Sequence, residues 1–360
     1  MIHVVIGTKA QLIKMAPVMK LLQDRDIPYN YISTGQHRET MDDIHGNFGL
    51  KQPDYRLYEG RDITSVIQMA GWGMRNILRT LRNKREIFKG DSNGIVLVHG
   101  HPFSTLLGAV MGKVAGLWVA HVESGLRSFN LFHPFPEEIT RVLTFRLADY
   151  MFCPGEWAVD NVKKYRGKTI DTGLNTLYDS LRHALPAIRK ITDVGIPGHA
   201  YGVVTLHRFE NIYNREAVDR LLTIIERISK KKQLLFIMHK PTRLKIEQFG
   251  YLGRLEDNPA IGIRPRYDYF RFIRLVMDAE FLVSDGGSNQ EECYYLGKPI
   301  LLLRKATERS EGLGRNCILS EYKNTIIDEF IDCASKYQFD FLHSESSPSE
   351  IIVEQLGEFS

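Results

Sequence analysis

The stretch YGVVTLHRFENIYNREAVDRLLTIIERISKKKQLLFIM, residues 201–238, decides the fold class. Residues 201–206 and 233–238 are short runs rich in valine, leucine and isoleucine, as expected of strands buried on both faces. Between them, residues 215–229 show the apolar spacing of an amphipathic helix. A buried strand, a helix and a second buried strand form a βαβ unit with a parallel sheet. The stretch therefore predicts an α/β fold.

The same alternation extends through the chain and divides it in two. About six apolar runs lie in the first half and five in the second, which predicts two doubly wound, Rossmann-like domains. Residues 183–200 contain two prolines and two glycines and interrupt the pattern, so we expect a linker there. The predicted strands are residues 3–6, 29–33, 94–98, 117–122, 150–153, 168–171, 201–206, 233–238, 261–263, 281–284 and 299–303. The predicted helices include residues 15–23, 66–81, 137–147, 177–185, 215–229 and 268–277. The predicted domains are residues 1–183 and 200–335, followed by a tail of residues 336–360.

The composition excludes several classes of protein. The 360 residues carry 47 Lys and Arg against 43 Asp and Glu, and the net charge of +4 is too small for a dense nucleic-acid-binding patch. The four cysteines form no C-x-x-C pair and are too few for a disulfide framework. The first residues lack the pattern of a signal peptide, and no stretch reaches the roughly 18 apolar residues that span a membrane. We therefore expect a cytoplasmic protein without nucleic-acid or membrane partners.

Ligands of open α/β sheets bind beyond the carboxyl ends of the strands, so the residues there are candidates for a site. Gly7-Thr8-Lys9 follows the first predicted strand and opens a helix. Such a turn is either an anion site, to which Lys9 and Lys14 add charge, or a plain connection. Gly100-His101 follows the third predicted strand and brings a side chain that titrates near neutral pH.

Two further strand-end segments carry carboxylates. Glu123 and Arg127 follow the fourth predicted strand, and their spacing is equally consistent with a structural ion pair. Pro136, Glu137 and Glu138 open the next helix, where acidic side chains complement the helix dipole. The functional alternative is that one of these acids serves as a catalytic acid or base.

The second half has its own candidate residues. His207-Arg208 follows its first predicted strand and His239 follows the next. No metal-ligand spacing such as H-x-x-x-H occurs around these histidines, so we expect no metal. Residues 284–292, SDGGSNQEE, follow a strand and open a helix whose first N–H groups suit a phosphate, while an acid one turn later suits ribose hydroxyls. The alternative is an N-capped helix with acidic first-turn residues.

Nine motifs occur in this order along the chain: GTKAQLIKMAP, STGQHRE, HVESGLRS, HPFPEEITR, DTGLNTLYDSL, TLHRFEN, SDGGSNQEE, LGKPILLLR and TERSEG. Together they resemble the motifs of the UDP-N-acetylglucosamine 2-epimerases. The resemblance implies the GT-B architecture, with two Rossmann-like domains, an interdomain cleft for a UDP-sugar and a C-terminal helix on the first domain. It implies a homodimer that uses neither metal nor organic cofactor. It also implies conversion of UDP-N-acetylglucosamine to UDP-N-acetylmannosamine by loss of UDP from C1, exchange of the C2 proton and re-addition of UDP.

The resemblance also implies roles for individual residues. The implied catalytic residues are Glu123, Glu137, His101 and His207. The implied substrate- and UDP-binding residues are Lys9, Lys14, Arg127, Arg141, Arg208, His239, Tyr269, Phe270, Gly287, Ser288 and Glu292. Among the latter, the Gly287-Ser288 turn is expected to hold phosphates, Glu292 the ribose, and residues 266–270 the uracil.

Three positions depart from the family pattern. Gly100-His101 stands where the family has Gly-Asp, and imidazole exchanges protons but supplies no permanent negative charge. Lys9-Ala10-Gln11 replaces Arg-Pro-Glu, and lysine lacks the bidentate fork of arginine. Gly286-Gly287-Ser288 reorders the family's Ser-Gly-Gly turn. The sequence leaves open a GT-B glycosyltransferase, a hydrolysing epimerase that releases N-acetylmannosamine and UDP, and an inactive nucleotide-sugar-binding protein.

Overall fold

The structure is a computed structural model, and it describes residues 1–36, 41–60, 66–130 and 136–359, without the side chains of residues 66, 67, 209 and 210. The described chain forms two compact units. The first unit consists of Met1–His183 together with the residues from Ser344 onward, and the second unit is Ala184–His343. Each unit is built on a parallel sheet with helices between its strands, so the predicted α/β class is confirmed.

The first unit contains a seven-stranded parallel sheet. Its strands are β1 (Ile2–Ile6), β2 (Tyr29–Ser33), β3 (Tyr55–Arg56), β4 (Ile95–His99), β5 (Trp118–Val122), β6 (Tyr150–Cys153) and β7 (Lys168–Asp171). They lie in the order β3-β2-β1-β4-β5-β6-β7, with every residue of β1 and β4 buried. The strand order reverses between β1 and β4, and this is the position at which open α/β sheets bind ligands. The residues that follow β1 and β4 therefore form the first place to look for a site.

Seven helices connect these strands or follow them. They are α1 (Lys9–Asp24), α2 (Asp42–Phe48), α3 (Val66–Ile87), α4 (Phe103–Ala115), α5 (Glu137–Leu147), α6 (Glu156–Val162) and α7 (Leu177–Ile188). Helix α1 begins six residues before the predicted start because Thr8 and Gln11 form a capping box. Helix α7 continues to Ile188 and includes Pro186, so the beginning of the predicted linker is helical.

The second unit contains a six-stranded parallel sheet. Its strands are β8 (Gly202–Thr205), β9 (Leu234–Met238), β10 (Ile261–Pro265), β11 (Phe281–Ser284), β12 (Ile300–Leu302) and β13 (Cys317–Leu319), in the order β10-β9-β8-β11-β12-β13. Its helices are α8 (Phe209–Ile212), α9 (Arg215–Ser229), α10 (Lys240–Gln248), α11 (Leu252–Glu256), α12 (Tyr269–Asp278), α13 (Gly287–Leu296) and α14 (Asn324–Asp332). The strand order here reverses between β8 and β11, so the residues after these two strands form the corresponding position.

The C-terminal segment belongs to the first unit from Ser344 onward, rather than from residue 336. Helix α15 (Pro348–Leu356) packs against α1. Its cap residue Ser347 donates to the buried carboxylate of Asp179 on α7 (2.9 Å), and the N–H of Ser349 donates to the same oxygen (2.8 Å). These bonds fix the start of α15 on the first unit.

All eleven predicted strands are present, and the structure adds two. Strands β3 and β13 have only two and three residues, too short for an apolar run to be visible in the sequence. Helix α3 extends to Ile87, beyond the predicted end at residue 81. The prediction stopped early because the last turns of this helix are mostly charged and show no apolar spacing. Within the described ranges, no helix combines the length and the apolar character needed to cross a membrane.

Candidate active site

At the first reversal of strand order, Gln11 joins the ends of β1 and β4. Its carbonyl oxygen accepts the N–H groups of Gly7 (2.9 Å) and Thr8 (3.0 Å) and the hydroxyl of Ser104 (2.9 Å). Its amide nitrogen donates to the carbonyl of His99 (2.8 Å). The N–H groups of Gly7 and Thr8 thus donate to Gln11, which favours a plain connection over an anion site at these two amides.

Close packing explains the glycine in this turn. A Cβ at Gly7 would lie 2.3 Å from the Cβ of Ser104, nearer than two carbon atoms can approach. Lys9 is the first residue of α1 and is half-buried beside this turn. It is thus the cation of this segment that remains partly accessible.

Glu123 lies just beyond β5 and is held by two side chains. Lys14 on α1 and Asn175 (2.7 Å) both donate to its Oε1, and its Oε2 lies 4.0 Å from Nδ1 of His99. Glu123 has a φ of 64° and, among the described residues, is the only buried non-glycine residue at positive φ. Such strained backbone persists where neighbouring contacts fix it, and it is frequent in active sites.

Gly100 allows this carboxylate to approach β4. Gly100 has a φ of 68°, and a Cβ there would lie 2.9 Å from Oε2 of Glu123. The carbonyl of Gly100 accepts Nε2–H of His121 (2.7 Å), and the hydroxyl of Ser124 donates to Nδ1 (2.6 Å). These bonds hold His121 as the neutral imidazole with its proton on Nε2. Burial lowers the pKa of His121 to about 4, so the ring stays uncharged at neutral pH.

The first turn of α5 lies beside His101. The hydroxyl of Thr140 is 2.6 Å from the carbonyl oxygen of His101 and 2.8 Å from that of Glu137. This contact ties the backbone of His101 to the start of the helix that begins with Glu137. Both side chains are partly exposed.

Arg127 and Arg141 contact the second acid of that helix. Arg127 Nε donates to Oε1 of Glu138 (2.5 Å), and Arg141 Nη1 donates to Oε2 (3.1 Å). Burial raises the pKa of Glu138, but its hydrogen bonds to Arg127, Ser128 and Arg141 outweigh that effect and lower the pKa overall. The ion pair considered between Glu123 and Arg127 is therefore replaced by Lys14–Glu123 and Arg127–Glu138.

In the second unit, Asp285 shapes the corresponding position. Its carboxylate accepts the N–H of His207 (3.0 Å), the N–H of Arg208 (3.1 Å) and the side-chain amide of Asn211 (2.9 Å). Asp285 thereby fixes the turn after β8 to the end of β11 and orients the His207-Arg208 pair.

The imidazole of His207 lies over the turn that opens α13. Its ring centroid is 5.6 Å from that of His239, which follows β9. A Cβ at Gly286 would lie 2.5 Å from Cε1 of His207, so the glycine makes room for the ring. Three strand ends of the second unit thus contribute to one cluster.

The N-terminal turn of α13 carries the predicted phosphate and ribose residues. Gly287 and Ser288 are its first two residues, and Glu292 accepts from the side chain of Asn289 (2.8 Å) one turn into the helix. Arg309 adds a buried cation beside this turn, because its Nε is 3.1 Å from the position of a Cβ on Gly287 and its Nη1 is 2.8 Å from Glu291.

Tyr269 and Phe270 are the first residues of α12, inside the helix predicted over residues 268–277, and both rings are buried. Burial, together with the carboxylate of Glu292, raises the pKa of the Tyr269 phenol. Tyr269 therefore lies beside the residue predicted to bind ribose. The predicted motif residues 37–39 and 133–135 lie outside the described part of the chain.

Sequence reasoning missed four residues that organise these positions. Gln11, Asn175, Asp285 and Arg309 all stand inside the quoted motifs but received no role. Their contacts join segments distant in sequence, and spacing along the chain gives no signal for such contacts. Nowhere in the described ranges do three or more His, Cys, Asp or Glu side chains form a group that could hold a metal ion.

The chain is similar to known proteins over most of its length. A model of the family described as UDP-N-acetylglucosamine 2-epimerase matches residues 19–348. The UDP-N-acetylglucosamine 2-epimerase of Methanococcus maripaludis is 34% identical over 327 residues, which cover 88% of this chain and 86% of that protein.

Solved structures match almost the whole chain. The UDP-GlcNAc 2-epimerase of Neisseria meningitidis, in a crystal structure bound to UDP-GlcNAc, is 30% identical, with a TM-score of 0.85 and 99% of both chains covered. The Methanocaldococcus jannaschii UDP-GlcNAc 2-epimerase, crystallised with UDP-GlcNAc and UDP, is 27% identical with the same TM-score and coverage. The chain therefore has the GT-B fold and belongs to the UDP-N-acetylglucosamine 2-epimerase family of isomerases.

Proposed function

We propose that this protein interconverts UDP-N-acetylglucosamine and UDP-N-acetylmannosamine. The observation that carries the proposal is the buried Glu123 carboxylate, held by Lys14 and Asn175 at a strained position beyond β5, in a chain of this family. A carboxylate fixed in this way can exchange a proton with a bound sugar without having to reorganise first.

The proposed reaction has two steps. The second step reverses the first, except that C2 receives its proton on the opposite face of the sugar. UDP leaves C1 while the C2 proton is removed, which gives a glycal-like intermediate with a double bond between C1 and C2. Protonation of C2 from the other face and return of UDP to C1 give the manno epimer. Each direction needs one base and one acid, so at least two proton-exchanging groups are required.

Four side chains are proposed for that proton exchange. Glu123 and Glu137 share the roles of acid and base, with His101 and His207 as further proton carriers. His101 is the unusual member, because a neutral imidazole lacks the negative charge that stabilises a developing cationic sugar. Product analysis therefore has to separate the epimerase from the alternatives that the sequence leaves open.

The remaining residues are proposed to hold the nucleotide or to hold the catalytic groups. Lys9, Arg208, His239 and the Gly287-Ser288 turn bind the diphosphate with charge and N–H donors. Glu292 binds the ribose, and Tyr269 and Phe270 support the uracil. Lys14, Arg127 and Arg141 act on the substrate indirectly, because their contacts are with Glu123 and Glu138.

We further propose that the protein is a cytoplasmic homodimer. On α3, Met74, Leu78 and Leu81 are spaced by one helical turn and are 59%, 46% and 56% exposed, which leaves an apolar stripe for a second copy to cover. All four cysteines are free thiols, as is usual in a reducing compartment. Light scattering should give twice the chain mass, and Leu78→Glu should give a monomer.

The activity is tested by proton NMR of purified protein with UDP-N-acetylglucosamine. Growth of the UDP-N-acetylmannosamine signals, and their strong loss in Glu123→Gln and Glu137→Gln, is the expected result. Free N-acetylmannosamine with UDP would instead identify a hydrolysing enzyme. An unchanged spectrum, with UDP bound in calorimetry, would reject this substrate and leave a glycosyltransferase or a binding protein. Full activity of both variants would reject the roles assigned to the two carboxylates.

A further inference from the structure

Gln11 is fully engaged on both sides of its amide group. It is buried in the first turn of α1, and its oxygen accepts from four donors of the β1 turn and the start of α4, including the hydroxyl of Thr8 (3.4 Å). Its nitrogen donates to the carbonyl of His99 (2.8 Å) and to the hydroxyl oxygen of Thr105 (2.9 Å). Thr105 in turn donates to the same His99 carbonyl (2.6 Å). This side chain therefore links β1, β4 and α4.

The hydrogen bonds of this pocket suit the amide that this chain has at position 11, where the family pattern has a glutamate. The four donors on one side need an acceptor, whereas the carbonyl of His99 on the other side needs a donor. A carboxylate of the same shape satisfies the first side only. On the second side it would place a negative oxygen about 2.8 Å from the carbonyl oxygen of His99, where the two repel. Glutamine and glutamate are thus nearly identical in volume here but opposite in their effect on the end of β4.

The segment that a carboxylate at position 11 would displace, residues 99–101, carries the proposed catalytic residue His101. His99 is the last residue of β4, and its carbonyl immediately precedes Gly100-His101. The N–H of Gly100 donates to the carbonyl of Val122 at the end of β5 (2.9 Å), next to Glu123. A displacement of the His99 carbonyl is therefore transmitted to both His101 and the neighbourhood of Glu123.

We propose that Gln11 is a positioning residue that sets the place of the 99–101 segment, and that this requires its amide nitrogen. Gln11 acts through the His99 carbonyl and not through the substrate, so it is not a catalytic residue. The catalytic part of the proposal rests on the proposed epimerase function. The structural part, that the amide holds residues 99–101, depends only on the hydrogen bonds above.

Two variants test the proposal by different changes. Gln11→Glu keeps the volume and removes the donor, and Thr105→Val removes the hydroxyl that shares the His99 carbonyl. Gln248→Glu is the matched control, because Gln248 is exposed at the end of α10 in the second unit. Each variant is first compared with the wild type by thermal unfolding, so that the assays are run on folded protein.

The first measurement separates turnover from nucleotide binding. Gln11→Glu should lower kcat about 10-fold or more, since small displacements of reacting groups have effects of that size. The Kd for UDP, measured by calorimetry, should change by a smaller factor than kcat, because all the proposed UDP-binding residues except Lys9 belong to the second unit. Thr105→Val should lower kcat by a smaller factor and Gln248→Glu should leave it unchanged. A kcat of Gln11→Glu equal to that of the wild type would overturn the catalytic part.

The second measurement needs no substrate. Hydrogen exchange of peptides covering residues 98–106 should be faster in Gln11→Glu than in the wild type, with no change in peptides from the second unit. Unchanged exchange in that segment would overturn the structural part of the proposal. If the wild type fails to convert UDP-N-acetylglucosamine, the proposed function is wrong, and the exchange result still decides whether the amide holds residues 99–101.

Discussion

Replacing Lys14 by methionine should destabilise the first unit strongly, because it leaves the Glu123 carboxylate buried without its cation. The side chains of Lys14 and Glu123 are only 4% and 3% exposed, so water cannot replace the lost partner. Methionine has a similar length and is apolar, so the change removes the charge with little change in volume.

The magnitude follows from the contacts that remain. Breaking a buried ion pair by removing one partner costs about 3–5 kcal/mol. Glu123 keeps the hydrogen bond from Asn175 (2.7 Å), which places the expected loss near the lower end, about 3 kcal/mol. For a unit of roughly 150–250 residues this corresponds to a fall in Tm of about 6–12 °C.

The assay is thermal and urea unfolding of four proteins in a double-mutant cycle. Lys14→Met should lose about 3 kcal/mol, and Lys14→Met/Glu123→Gln should regain at least half of that loss, because the variant no longer buries an unpaired charge. Lys20→Met is the control, since Lys20 pairs with Asp24 on the surface and should change stability by less than about 1 kcal/mol. A Tm of Lys14→Met within about 1 °C of the control would refute the reasoning.

Three further predictions concern the surroundings of the site. The free energy of unfolding should fall as the pH drops from about 6.5 to about 4, because the pKa of His121 is lowered by burial and the unfolded chain then binds a proton that the folded state does not. The contribution of His121 is about 3 kcal/mol. In an acid titration, the free energy of unfolding of His121→Gln should depend less on pH than that of the wild type. Asp285→Asn should weaken UDP binding about 5- to 100-fold in calorimetry, since an amide cannot accept all three donors of the carboxylate, and an unchanged Kd would contradict this. Asp179→Asn should loosen the segment that starts at Ser347 and speed its removal by limited proteolysis, with cleavage at the wild-type rate as the contrary result.

The sequence is sufficient for the strands that are buried on both faces and insufficient for two short strands at the edges of the sheets. The runs of β1 and β4 stand out because four of the five residues in each are aliphatic. The structure confirms their predicted places and buries every residue of both strands. Strands β3 and β13 lie at the edges of the sheets and consist of two and three residues. Their pairing is decided by the neighbouring strand, β2 or β12, and is not visible in their own composition.

The candidate site was predictable by position but not by contact. Strand-end motifs identify Glu123 and His207 as candidates, because ligands bind at the carboxyl ends of parallel strands. The partners of these residues come from distant segments: Lys14 lies on α1, 109 residues before Glu123, and Asp285 follows β11, 78 residues after His207. Only the folded chain reveals that the N–H groups of Gly7 and Thr8, for which the sequence leaves an anion or a plain connection open, donate to Gln11.

The most direct test of the proposed reaction is proton NMR of the wild-type protein with UDP-N-acetylglucosamine in D2O. Removal and return of the C2 proton predicts deuterium at C2 of UDP-N-acetylmannosamine and, as the reaction reverses, at C2 of the remaining substrate. Glu123→Gln and Glu137→Gln should slow that incorporation, because each lacks one of the two groups assigned to proton exchange. An epimer that forms with its C2 proton retained would contradict the account.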